Sequence, residues 1–171
     1  MRIRNRATAL TSATAIAAGV LFTAVAAAPA QAYSPNPTTY ITRQVTDNCP
    51  CTYGDLIDGT YFQKDVGGTA VKIMGTVGKP SNIVGKVEFH PQGEKLWIYD
   101  TKNDGDALYV RVEYTIDGSL RSTDMYKAPG TPKEIDVRTV DLNLPEGTFV
   151  TVLWYDDADG DDLIAVGRGR A

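Results

Sequence analysis

Histidine and cysteine are almost absent from this chain of 171 residues, which contains one histidine and two cysteines. A zinc site built from several histidines is therefore excluded, and a Ser–His or Cys–His catalytic pair would have to use His90. His90 stands at the end of a predicted strand, just before Pro91, and no nucleophile elbow accompanies it. We therefore expect His90 to be an ordinary surface or turn residue.

The two cysteines form the motif Cys49-Pro50-Cys51. Two cysteines form at most one intramolecular disulfide, which is too few to stabilise a small fold, so the stability of the domain must come from packing. Three interpretations of the motif are open: a local disulfide that closes a very small ring, free or intermolecular thiols, and a redox or soft-metal role. We favour the local disulfide between Cys49 and Cys51.

Long apolar runs are also missing, except near the start of the chain. Three arginines and no acid occupy the first six residues, an Ala-rich apolar stretch follows over residues 13–28, and Ala30-Gln31-Ala32 has a small-x-small pattern. This order is typical of a signal peptide, and the apolar stretch is too short and too weakly apolar for a membrane span. We predict a signal peptide over residues 1–32, cleaved after Ala32, and a secreted, extracellular protein with no membrane attachment after cleavage.

Basic residues are scarce in residues 33–171, which contain 14 lysines and arginines against 21 acids, a net charge of −7. This balance disfavours binding to nucleic acid or to an anionic membrane surface. The segment has 139 residues, enough for one domain with a hydrophobic core. We predict a flexible leader over residues 33–39, which contain two prolines among small polar residues, and one domain over residues 40–171.

No segment shows a sustained helical period. From Thr69 onward, runs of β-branched and aromatic residues alternate with Gly, Pro, Asn and Asp. Residues 108–116 alternate between two faces, and Asp117-Gly118 follows them as a hairpin turn. We predict an all-β protein, a single antiparallel β-sandwich of about eight or nine short strands.

The most distinctive local feature is an acidic loop that holds five carboxylates within seven residues. Calcium takes six to eight oxygen ligands from such loops, although the spacing does not match an EF-hand. A second acidic turn over residues 100–106 could converge on the loop if both lie at the same end of the sandwich. The alternative is a pair of solvated turns that keep the protein soluble. The candidate calcium ligands are Asp156, Asp157, Asp159, Asp161 and Asp162 in the loop and Asp104 and Asp106 in the turn.

Aromatic residues are the other candidates for a binding site. Trp97, Tyr109 and Trp154 could form a platform for a partner protein or a polysaccharide. The alternative is core packing, which the apolar residues on both faces of 96–99 favour for Trp97.

Two segments resemble known proteins. Residues 97–110 contain D-T-K-N-D-G between two strands, and residues 144–150 contain P-E-G-T before a late strand. In these motifs and in its Ala-rich leader, the chain resembles the small secreted β-sandwich proteins common in actinomycetes, an uncharacterised group, over residues 97–160. The resemblance implies a β-sandwich and an extracellular location, and no functional residue carries over from it.

The favoured function is that of a non-catalytic extracellular binding or interaction module for an unidentified protein or polysaccharide, with calcium as a candidate ligand. The acids cluster in turns and do not face a cleft singly, which disfavours a carboxylate-based hydrolase. The alternative function is a secreted inhibitor of a hydrolase, either a protease or a glycosidase. Such an inhibitor would present the loop 127–132, because its prolines lower the cost of ordering it.

Overall fold

The computed structural model describes residues 33–129 and 135–171. The predicted signal peptide, residues 1–32, and residues 130–132 of the proline-containing loop lie outside the described residues. The described part of the chain has no helix long and apolar enough to span a membrane. It contains twelve strands: β1 (Thr38–Val45), β2 (Cys51–Tyr53), β3 (Thr60–Phe62), β4 (Thr69–Thr76), β5 (Ile83–His90), β6 (Lys95–Asp100), β7 (Tyr109–Ile116), β8 (Ser119–Ser122), β9 (Tyr126–Lys127), β10 (Asp136–Asp141), β11 (Phe149–Tyr155) and β12 (Leu163–Arg170).

Ten of these strands form one antiparallel sheet, in the order β10-β6-β5-β4-β12-β11-β7-β8, with β1 also paired to β4 and β9 also paired to β7. β1 pairs with β4 along its whole length, whereas β12 meets β4 only at Arg170 and Thr69. The sheet therefore folds over at this junction. One layer contains β1, β4, β5, β6 and β10, and the other contains β12, β11, β7, β8 and β9. The predicted all-β, antiparallel sandwich is confirmed.

The main core lies between the two layers, because alternate side chains of each strand point inward. Apolar side chains from both layers fill it: Val71, Ile73, Val87, Phe89, Leu96, Ile98, Leu108, Val110, Val112, Val150, Val152, Trp154 and Ala165. Full burial of such side chains stabilises the fold by roughly 1.5–3 kcal/mol each. The period of two seen in the sequence thus specifies which face of each strand is buried.

Trp154 is the largest side chain in this core and is 1% exposed. Its indole ring lies over two glycines of the opposite layer. A Cβ atom at Gly75 would come within 2.3 Å of the ring, and one at Gly85 within 3.2 Å. Glycine is therefore required at Gly75 by the close approach of the tryptophan.

The outer face of the first layer is also covered, by residues 46–68, which we name the cap. The cap contains the short hairpin β2–β3. Its two ends are tied together by a hydrogen bond from the Thr46 amide to the Gly68 carbonyl, 3.1 Å long. Phe62 is fully buried beneath the cap against Ala70 and the cysteine turn.

Two expectations need correction. The predicted flexible leader over residues 33–39 overlaps β1 at Thr38 and Thr39, Pro37 is buried, and Tyr33 and Asn36 donate hydrogen bonds to Asp104 and Asp162. The strand count is higher than eight or nine, because β2, β3 and β9 are only two or three residues long. Strands this short carry too little alternation to be recognised in a sequence.

Candidate functional site

The sandwich buries carboxylates in two places. The first, which we name the acidic end, lies where β6 and β11 finish. It consists of Tyr33, Asp100, Asp104, Asp106, Asp156 and Asp162. Asp100 ends β6 opposite the inward-facing Gly85, and Asp156 lies two residues after the inward-facing Trp154. Strand alternation therefore directs both carboxylates between the layers, where water is excluded.

Asp100 is 6% exposed, and burial raises the pKa of its carboxyl to about 6. This value includes the effect of the neighbouring acids Asp104, Asp136 and Asp106, each of which disfavours a second negative charge. The amide of Lys102 donates to Asp100 Oδ1 at 3.1 Å and partly offsets the shift.

Asp156 is 3% exposed, and neither of its carboxylate oxygens has a hydrogen bond of full geometry within the described residues. Burial raises the pKa of this carboxyl to about 6, and Asp162, Asp106 and Asp157 raise it as well. The backbone N–H of Tyr33 acts in the opposite direction. A buried carboxylate without partners is costly, so Asp156 marks a position where positive charge would be favourable.

The two acidic turns converge, as the sequence suggested they could. Asp106 of the first turn acts on the pKa of Asp156 in the second. The N-terminal segment crosses between the turns: the Tyr33 hydroxyl donates to Asp104 Oδ2 at 3.4 Å, and Asn36 Nδ2 donates to Asp162 Oδ1 at 2.9 Å.

The remaining candidate ligands have other environments. Asp157 accepts hydrogen bonds from the amides of Gly160, Asp161 and Asp162, which fixes the shape of the loop. The side chains of Asp159 and Asp161 are exposed. Across residues 33–129 and 135–171, no group of three or more His, Cys, Asp or Glu side chains is arranged to hold a metal ion. The candidate ligands therefore do not form a preassembled chelate.

The second place, which we name the buried charge cluster, lies under the cap on the outer face of the first layer. It consists of Asp55, Asp58, Lys72, Lys86, Glu88 and His90. Lys86 is fully buried, and its Nζ lies 2.5 Å from Asp58 Oδ1, 3.1 Å from Glu88 Oε1 and 3.2 Å from Asp55 Oδ2. Lys72 Nζ lies 2.6 Å from the same oxygen of Asp55.

In contrast to the acidic end, this cluster favours ionised groups. Burial opposes charge at Lys86, but Asp58, Glu88 and Asp55 raise its pKa nonetheless. Burial likewise opposes charge at Glu88, but hydrogen bonds from His90 and Thr60 together with Lys86 lower its pKa. The pKa of Asp55 is also lowered, against burial, by Lys72, the amides of Ile57 and Gly59, and Lys86.

His90 is buried, contrary to the expectation of a surface or turn residue. Its Nε2 lies 2.9 Å from Glu88 Oε2, and its ring packs between Phe62 and Trp97, with centroids 5.0 and 4.5 Å away. Sequence reasoning missed this cluster. The available signal was the i, i+2 spacing of Lys86, Glu88 and His90, which puts all three on one face of β5.

The three predicted binding aromatics do not share a surface. Trp154 lies in the main core, and Tyr109 packs on the outer face of the second layer beside Leu153 and Tyr155. Trp97 is half-buried on the outer face of the first layer. A single aromatic platform therefore cannot form from these side chains.

Cys49 and Cys51 lie at disulfide distance, with their Cα atoms 4.6 Å apart. Cys49 is buried with Phe62 in the small core beneath the cap. The cysteine turn thus belongs to the cap, next to the buried charge cluster.

A surface hollow of about 120 Å³ lies beside the cap. It is small compared with ligand pockets, which usually span about 300–1,000 Å³. Its lining residues are Leu56, Ile57, Ser81, Ile83, Thr101, Lys102 and Ile135.

Comparisons with known protein families, with curated proteins and with solved structures found no match to this chain. The fold and the site define an all-β, antiparallel sandwich with one acidic end and one capped, charge-paired face. Inference about its function therefore rests on its own residues.

Proposed function

We propose that this protein is exported and acts outside the cell as a non-catalytic binding module whose acidic end binds calcium. The observation that carries the proposal is the convergence of the acidic turns 100–106 and 156–162 at one end of the sandwich. Among the described residues, no ion pair joins either turn to a lysine or arginine. Crowded carboxylates repel one another unless a cation offsets their charge. Calcium supplies that charge and prefers oxygen ligands.

The expected affinity is low. Because no three carboxylates of the described residues are preassembled, calcium must draw the exposed Asp104 and the half-buried Asp106 and Asp162 together. That ordering costs free energy. We therefore expect a dissociation constant of about 10⁻⁴–10⁻³ M, as in other extracellular modules, which calcium outside cells can still satisfy.

A non-catalytic role is supported by the state of the other buried carboxylates. Asp55 and Glu88 are paired with lysines and covered by the cap, so neither faces a cleft where a substrate could bind.

Calcium titration followed by thermal unfolding tests the binding site. At ten times the dissociation constant we expect the melting temperature to rise by about 3–6 °C. Asp106→Asn removes one carboxylate and should reduce the rise. Asp117→Asn is the matched control, because Asp117 lies in the turn after β7, at the far end of the strand that begins at Tyr109. An unchanged melting temperature at millimolar calcium would refute calcium binding.

Export is tested separately. The chain is expressed with residues 1–32 in a secreting host, and the intact mass of the protein in the medium is measured. A chain that begins at Tyr33 supports export with cleavage after Ala32. A full-length chain retained inside the cell overturns it.

The inhibitor alternative depends on the loop 127–132, of which residues 130–132 lie outside the described residues. No observation on the described residues favours it over calcium binding.

A further inference from the structure

The unsatisfied carboxylate of Asp156 requires a partner. It is 97% buried, because only 3% of the residue is exposed, and both of its oxygens lack a hydrogen bond of full geometry within the described residues. Arg111 is a nearby cation, but its guanidinium lies on the outer face, 5.7 Å from the centre of the Tyr155 ring. None of the ion pairs within residues 33–129 and 135–171 includes Asp156.

The backbone N–H of Tyr33 lies near this carboxylate and lowers its pKa, without completing a hydrogen bond to either oxygen. Three contacts fix the segment that carries it. The Tyr33 hydroxyl reaches Asp104, Asn36 bonds to Asp162, and Pro37 is buried near Gly75 beneath the Trp154 ring. The nitrogen of Tyr33 is therefore placed by the fold.

Tyr33 is also the residue that follows the predicted cleavage site. We propose that cleavage after Ala32 converts the Tyr33 amide into an α-ammonium group, which pairs with the buried Asp156 carboxylate. This inference rests on the proposed export, and it adds a function for the cleavage itself. Processing of the chain supplies the positive charge that the described residues do not provide.

The chemistry of the two nitrogens differs in charge and in geometry. An amide donates one hydrogen bond in a fixed direction and carries no net charge. An α-amino group has an ordinary pKa of about 7.7–8.0, so it is mostly protonated at neutral pH, and its three protons can reach both oxygens of a carboxylate. Its charge also faces Asp162, Asp106 and Asp157, whose negative charges act on Asp156. The uncleaved chain lacks this charge and leaves Asp156 unsatisfied.

The test compares two N-termini in three backgrounds. One chain begins at Tyr33, and the other has a single glycine before Tyr33, which moves the ammonium by about 3.8 Å. Both are made as the unchanged protein, as Asp156→Asn and as Asp159→Asn. Asp159→Asn is the matched control, because it removes an equal charge from an exposed position in the same loop. The folding equilibrium constant is measured by denaturant unfolding.

We expect the added glycine to lower the folding equilibrium constant about tenfold or more in the unchanged protein and in Asp159→Asn. In Asp156→Asn we expect a change of less than about twofold, because the charge to be paired is gone. Equal effects in all three backgrounds, or no effect in any, would overturn the pairing.

A second measurement applies if Asp156→Asn does not fold. The α-amine is labelled with an amine-specific reagent at neutral pH in the chain that begins at Tyr33 and in the glycine-extended chain. A paired ammonium should react several-fold more slowly than the displaced one, and equal rates would overturn the pairing.

Both measurements use chains with defined N-termini, so they are independent of export. If the secreted chain begins at a residue other than Tyr33, the proposed cleavage after Ala32 is wrong. The pairing then does not occur in the natural protein, even if a chain made to begin at Tyr33 shows it.

Discussion

The acidic end and the buried charge cluster both remove carboxylates from water, but they differ in the charges around them. At the cluster, Lys72 and Lys86 lie within 2.6–3.2 Å of Asp55, and Lys86 also contacts Glu88. At the acidic end, acids are surrounded by other acids. Burial raises the pKa of both Asp55 and Asp156. The nearby lysines and backbone amides reverse this effect at Asp55, whereas the neighbouring acids add to it at Asp156. Burial by itself does not define a functional site; burial without compensation does.

The same comparison distinguishes charged residues that stabilise the fold from charged residues that are candidates for ligand binding. The cluster is closed by the cap and satisfied by its own lysines and hydrogen bonds, so it has no chemical need for a ligand. The acidic end is crossed by the segment that begins at Tyr33, and none of its carboxylates forms an ion pair with a lysine or arginine of the described residues. In the function that we propose, the cluster supports folding and the acidic end binds the ligand.

Removing the central cation of the cluster should have the largest effect on stability. Lys86→Met leaves Asp55 and Glu88 buried without their shared cation, and we expect a loss of about 3–5 kcal/mol in the free energy of unfolding. The measurement is denaturant unfolding. Lys95→Met is the matched control, because Lys95 pairs with the exposed Asp141 at the surface and should change stability little. Similar losses for both variants would contradict the distinction between buried and exposed pairs.

A smaller effect is expected for one hydrogen bond within the cluster. Thr60 Oγ1 donates to Glu88 Oε1 at 2.5 Å, and both side chains are buried. Thr60→Val keeps the shape and removes the donor, so we expect a loss of about 1–3 kcal/mol. Thr52→Val, at an exposed position of β2, serves as control in the same unfolding experiment. If Thr60→Val is no more destabilising than Thr52→Val, the hydrogen bond does not support the cluster.

The two regions should respond to pH in opposite directions. The pKa of Asp100 is about 6 in the folded chain against an ordinary value of 3.8, so the folded chain binds more protons between these values. The free energy of unfolding should therefore fall as pH rises from about 4 to about 6, and then level off. Asp156 adds to this slope in the chain with a glycine before Tyr33.

Urea unfolding between pH 3 and pH 7 measures these slopes. Asp100→Asn should flatten the change between pH 4 and pH 6. The pKa values of Asp55 and Glu88 are lowered, so their stabilisation is present above their unfolded pKa values and is lost as pH falls through the folded ones. An unchanged slope in Asp100→Asn would show that its carboxyl titrates normally.

The smallest effect is expected for the hydroxyl of Tyr33. It donates to Asp104 at 3.4 Å in an exposed position, so Tyr33→Phe should cost about 0.5 kcal/mol or less in thermal unfolding. The variant keeps the α-ammonium and its pairing with Asp156. A loss comparable to that of Thr60→Val would mean that the hydroxyl, and not the terminal nitrogen, holds the segment in place.

Much of the fold was predictable from alternation. Residues 109–116 form a strand and Asp117-Gly118 form the turn after it, as predicted, because period-two burial and turn residues are local signals. The sequence allowed the acidic turns to converge only if both lay at the same end of the sandwich, and it did not show that they do. The cap was not recognised, because its strands have three residues each and its burial depends on Phe62 meeting the far side of β4 and β5.

The candidate site was predicted less well, and the reason is visible in two adjacent residues. Asp156 and Asp157 are identical in type and next to each other in the sequence. Asp156 is buried and unsatisfied, whereas Asp157 binds the amides of its own loop. Likewise, Lys86 and Glu88 look like the solvated face of a strand until the cap covers them.

By itself, the sequence determined the all-β class, the antiparallel alternation and the local acidity of the turns, because each depends on neighbours along the chain. Only the tertiary structure decided which charges lose water and which find a partner. Desolvation depends on segments that are distant in the sequence and meet in the fold, such as Tyr33 with Asp156 and Asp55 with Lys86. The electrostatic cost or gain at each carboxylate depends on these tertiary contacts, and no local sequence pattern predicts that cost or gain.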